Sequence, residues 1–177
     1  GLCVVALPFT GTLAKLVQYI RPNTMDDDDL AKPRYLDKDT LNAPSIALSN
    51  AKRETLRLAE LVEKMIEEAI RPFDHRDQRL IDRIQDDDDV VDRLYGAIKK
   101  FIAKLLSHEE LTEAQATEAV RILTFATNLE HTGDVIDKNL MPLAEKKYRL
   151  QQEFSEEGFQ EIKKFHALVL DSIIQAQ

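Results

Sequence analysis

The chain has 177 residues, 44% of them hydrophobic and 32% charged, with a formal net charge of −8. That length and apolar content suffice for one packed domain or part of a larger protein, while the acidic balance excludes the basic footprint that a nucleic-acid partner needs. A single cysteine, Cys3, excludes an internal disulfide framework and fits a reducing compartment.

The chain opens at Gly1 without an initiator methionine, as a fragment or processed chain does. Residues 2–20 are mostly apolar, interrupted by Pro8 and Lys15. A bilayer crossing needs about 20 apolar residues, so the stretch is marginal. Two readings fit residues 1–21: the end of a last transmembrane helix with Arg21 at the membrane face, or an amphipathic helix lying on a bundle or bilayer. A signal peptide fits less well, because no charged segment precedes the apolar part. Residues 22–43 hold two prolines and the aspartate run 26–29 without a helical period, and read as a linker. The aspartate run reads as a solvated loop before it reads as a cation site.

The spacing then predicts a helix from Pro44 to about Ile70, with Asn42 as a nearby cap and an apolar stripe of Ile46, Leu48, Leu56, Leu58, Leu61, Val62, Met65, Ile66 and Ala69. Arg71-Pro72 ends it. A second helix is predicted over Asp74–Leu106, with Leu80, Ile81, Ile84, Val91, Leu94, Ile98, Phe101, Ile102 and Leu105 inward. Ser107, three residues before Glu110, suggests a cap for the next helix. A third helix is expected over Leu111–Leu150 with a kink near Pro142, and a fourth from about Ser155 to the end. No strand pattern occurs.

Residues 54–69 also align weakly with 161–176 at an offset of 107. Glu54 falls on Glu161, Leu58 on Phe165, Leu61-Val62 on Leu168-Val169, Ile66 on Ile173 and Ala69 on Ala176. The fourth helix therefore reads as the first of a second three-helix copy. With that copy incomplete, its apolar face wants a partner, which points to a homo-oligomer.

Carboxylates four apart share a helix face and repel. Asp88 and Asp92 are so spaced on the second helix, and Glu130 and Asp134 on the third, with Asp137 on nearly the same side. Consecutive helices on short connections pack antiparallel, so the two pairs can converge. Such oxygen donors suit iron, manganese, magnesium or calcium. The competing reading is a set of ordinary surface ion pairs with Arg79, Arg83, Arg93 and Arg121. His131 sits one residue off the acidic face and reads as a solvent-facing or half-buried histidine before a ligand, while His75, His108 and His166 lack partners at ligand spacing and read as surface residues. Gly133 costs roughly 1 kcal/mol of helix propensity, which asks for a packing reason. No phosphate loop, GxSxG or HExxH occurs, so no enzymatic role is expected.

The stretch RYLDKDTLNAPSIALSNAKRETLRLAELVEKMIEEAI resembles the entry to the cytoplasmic PhoU-like domain of bacterial sodium/phosphate cotransporters. DDVVDRLYGAIKKFIAKL and LEHTGDVIDKNLMPLAEKK resemble that domain's second and third helices, and PFTGTLAKLVQYIRP the end of the transporter's last membrane helix. The resemblance implies an all-α fold: an antiparallel three-helix bundle of the PhoU type over residues 44–150, then the first helix of a second repeat over 151–177. It implies that Asp88, Asp92, Glu130 and Asp134 hold metal, whether iron, manganese or another divalent cation. It also implies a cytoplasmic role at the membrane in phosphate uptake or its regulation, with the transmembrane transport domain of the same protein as partner. A free-standing PhoU-like adaptor acting on a phosphate transporter or sensor kinase is the alternative. A di-iron enzyme ranks last, since no ExxH lies on the relevant helices. His131 stands where PhoU proteins commonly carry a basic residue.

Overall fold

A computed structural model describes residues 29–108 and 111–176. The apolar stretch 2–20, most of the aspartate run and Glu110 lie outside them. Among the described residues there is no strand, and no helix is long and apolar enough to cross a membrane.

Residues 29–43 are more than a linker. A 3₁₀ turn, Lys38–Asn42, is capped by the Asp37 side chain, which accepts from Asp39 N at 2.9 Å. Ala31 and Leu41 enter the core. The segment is pinned by Glu54, which is fully buried and accepts from the backbone N–H of Arg34 and Tyr35, 2.7 Å each. Arg57 neutralises Glu54 and donates to the Leu30 and Lys32 carbonyls. The linker composition concealed this, because the anchor is a charge on the following helix.

α1 spans Pro44–Ala69, with Pro44 in the first turn and Ala43 as N-cap; the expected Asn42 cap is not made. Ala47, Ala51 and Ala59 are fully buried, and their small side chains let a neighbouring helix approach closely. Leu58, Val62, Met65 and Ile66 complete the buried face. Ile46 and Leu56 are exposed instead of inward. They lie off the arc that the two neighbouring helices cover, whose width a periodicity does not reveal.

A one-turn helix, Arg71–Asp74, uses the residues expected to open the second helix. α2 therefore begins later and spans Gln78–Leu106, with the Asp77 side chain accepting from Leu80 N at 3.0 Å. All nine residues expected inward are buried. Ser107 ends α2, its hydroxyl donating to the Lys104 carbonyl at 2.6 Å, and does not cap the next helix.

α3 spans Glu113–Val135 and opens on a capping box between Thr112 and Gln115. It passes into a π-helical segment, Ile136–Leu140, before α4, Met141–Arg149. The expected kink at Pro142 takes this form for a steric reason. Pro142 offers no N–H to the Lys138 carbonyl and its ring would collide with it, so the backbone widens, and Met141 N–H reaches Ile136 O instead. α1, α2 and α3 pack on one another around a single core.

α5, Glu156–Ala176, lies against α1. His166 Nε2–H donates to the Ile66 carbonyl at 2.6 Å, so this histidine is a half-buried tether, not the surface residue expected. Beneath α5 runs an apolar groove of about 480 Å³ that includes Ile66, Phe73, Ile136, Leu140, Phe165 and Val169 in its walls. Phe165 and Leu168, the counterparts of buried Leu58 and half-buried Leu61, are 69% and 65% exposed.

Candidate metal centre

The site forms where α2 faces the end of α3. The four-residue spacing sets Asp88 and Asp92 one turn apart on α2, and Gly133 opens the facing wall. A Cβ on Gly133 would stand 2.7 Å from Asp88 Oδ1 and 3.5 Å from Val91 Cγ1. The glycine is thus the space that the Asp88 carboxylate occupies, and this is the packing reason for its presence in a helix.

Asp88, Asp92 and Asp134 bring carboxylate oxygens within 4.8 Å of one another. Glu130, His131 and Asp134 form a second set at the same separation, so Asp134 is common to both. The four carboxylates singled out by spacing therefore converge, in two overlapping groups. His131 joins them: its Nδ1 is 3.0 Å from Glu130 Oε2, although its side chain is 69% exposed. One helical position off the acidic face still lies within reach for a long glutamate turned sideways.

The environments differ sharply. Asp88 is 4% exposed and its Oδ1 accepts no hydrogen bond, whereas Asp92 is exposed and Asp134 half-buried. Burial, then the charges of Asp92, Asp137 and Asp134, push the Asp88 carboxyl up to about 7, with Lys138 pulling the other way. Burial also raises Asp92, again opposed by Lys138. The compensating cation is Lys138, which sequence reasoning missed. Its Nζ lies on Asp134 Oδ1, and that contact holds its pKa above the usual lysine value. Two of the expected arginine partners are engaged elsewhere: Arg83 with Glu68 at 2.7 Å and Arg121 with Glu118 at 3.8 Å. Lys138 is four residues from Asp134, a spacing that could have signalled the pair.

A buried, unpartnered carboxylate oxygen is costly. A cradle that only glycine leaves open and two further carboxylates beside it make a cation the natural complement. The Asp88–Asp92–Asp134 set offers oxygen alone and suits a hard divalent ion. The set with His131 adds an imidazole nitrogen, which manganese or iron accepts.

Residues 55–139 match the PhoU domain. The PhoU-matching span runs from Thr55 in α1 to Asn139 in the π segment, and it contains all four carboxylates and Lys138. The fold is an all-helical, antiparallel three-helix bundle of the PhoU type, followed by α5. The chain is 30% identical over 173 residues to proteins named "Putative inorganic phosphate export protein YjbB" in Escherichia coli (strain K12), Shigella flexneri and Salmonella typhimurium. Each match covers 97% of this chain and 31% of the relative, so the chain spans about a third of the length of these relatives. No solved structure matches the chain. The relatives' name speaks of inorganic phosphate and export; the expected sodium coupling and uptake go beyond it.

Proposed function

We propose that this chain is a PhoU-type regulatory module for inorganic phosphate transport, acting as an adaptor on a membrane phosphate transporter, with divalent-cation occupancy of the carboxylate site as its input. The observation that carries the cation reading is the buried Asp88 oxygen, unpartnered in the Gly133 cradle with Asp92 and Asp134 alongside. A bound cation, iron or manganese or another divalent ion, supplies positive charge where three carboxylates repel. Asp88, Asp92 and Asp134 hold it, with Glu130 and the exposed His131 beside them.

The geometry offers a route from that input to a partner. Asp137 and Lys138 of the π segment face the carboxylates, while Ile136 and Leu140 of the same five residues line the groove under α5. A change on one side of this segment is felt on the other, because packed cores do not deform continuously. The exposed Phe165 and Leu168 provide apolar surface for a transporter or for a second copy of the chain. No catalytic role is assigned.

A second reading makes the module a cytoplasmic domain attached to the transport domain of a sodium/phosphate symporter. It is favoured by one fact, that the matched relatives extend well beyond the aligned region. Immunoblotting of the native host separates the two: a polypeptide of this chain's own size supports the adaptor, and one about three times longer supports attachment. Phosphate flux in cells carrying Asp88→Asn tests the regulatory role under either reading. Altered dependence of flux on external phosphate is expected; flux identical to wild type at every phosphate concentration refutes it.

A further inference from the structure

We propose that Lys138 is a built-in occupant of the carboxylate site, a tethered ammonium that a divalent ion must displace. The inference rests on the cation reading above. Lys138 Nζ sits on Asp134 Oδ1, and Asp134 is the one carboxylate shared by both donor sets. A cation entering either set therefore competes with Lys138 for the same carboxylate. The ammonium does not complete the site, since Asp88 Oδ1 stays unpartnered. Its charge relieves the repulsion while leaving the buried oxygen for an ion that can reach it.

Lys138 lies in the π-helical segment, and its carbonyl is the one that Pro142 cannot serve with an N–H. Its side chain is 57% exposed, so it can swing into solvent without opening the core. Relief of carboxylate repulsion in the empty state and competition in the filled state come from the same charge. Lys138 therefore sets the cation concentration at which the site fills.

The test is calorimetric titration with Mn²⁺ of the full chain and three variants at neutral pH and low salt. Lys138→Met is expected to bind Mn²⁺ about tenfold more tightly, the scale of a screened repulsion between an ammonium and a divalent ion a few ångströms away. Lys138→Arg keeps the charge and is expected to stay within about twofold of wild type. Lys104→Met makes the same charge change near the far end of α2 and is expected to leave the affinity within about twofold. Without metal, Lys138→Met is expected to melt lower than Lys138→Arg, a gap that Mn²⁺ closes. Wild-type binding with equal or weaker affinity in Lys138→Met overturns the displacement and leaves the carboxylate site standing. No Mn²⁺ uptake by any variant overturns both.

Discussion

Replacing Asp88 by asparagine keeps the side chain's shape and removes its charge, which isolates the electrostatic cost of the empty site. The Asp88 carboxyl rises from 3.8 to about 7 in the native state, chiefly through burial. Between those values the folded protein holds a proton that the unfolded chain has lost, so stability falls as pH rises through the window. The cost is about 2 kcal/mol at pH 5 and about 4 kcal/mol at pH 8, from about 1.4 kcal/mol for each pH unit of displacement. The substituted asparagine cannot ionise, and any penalty from its unpartnered amide is the same at both pH values. The stability of Asp88→Asn relative to wild type is therefore expected to improve by about 2–3 kcal/mol between pH 5 and pH 8. The measurement is urea unfolding followed by far-ultraviolet circular dichroism, in the presence of a chelator, at each pH. Parallel pH profiles for the two proteins would refute the claim that Asp88 is desolvated and uncompensated. Saturating Mn²⁺ at pH 8 should restore wild type by about 2.7 kcal/mol at a hundred times the dissociation constant, with little effect on the variant.

Three further perturbations probe the frame around the site. Gly133→Ala places a methyl 2.7 Å from Asp88 Oδ1; the overpacking of about 1–3 kcal/mol should outweigh the roughly 1 kcal/mol helix-propensity gain, and Mn²⁺ affinity should drop in the same titration. Glu54→Gln leaves Arg57 buried without its counter-charge, for an expected loss of about 3–5 kcal/mol, and limited proteolysis should cut residues 29–43 sooner than in wild type. Gln151 closes α4 at φ 52°, with Gln152 N–H on Lys147 O at 3.0 Å and Gln151 N–H on Tyr148 O at 3.1 Å. Glycine is the favoured residue at this C-terminal position, so Gln151→Gly should raise stability by about 0.5–1 kcal/mol in thermal melts; a fall would show that the side chain does more than tolerate the turn.

The amino-acid sequence by itself determined the helices and much of what they bury. α2 is the clearest case: a period of 3.6 from Leu80 to Leu105 leaves one face to cover, and each of the nine residues expected inward is buried. It also determined that Asp88 and Asp92 share a face, as do Glu130 and Asp134, since helical spacing is local geometry. What spacing could not decide was depth. Asp88 and Asp92 stand one turn apart, yet the first is 4% exposed and the second is open to solvent, because α3 covers only one of them and does so through Gly133. The same limit hid the strap on Glu54 and the tether of His166 to the Ile66 carbonyl. Each of these depends on what lies opposite a residue, across separations as great as 100 positions for His166, and a side chain's burial is settled by the surface that covers it.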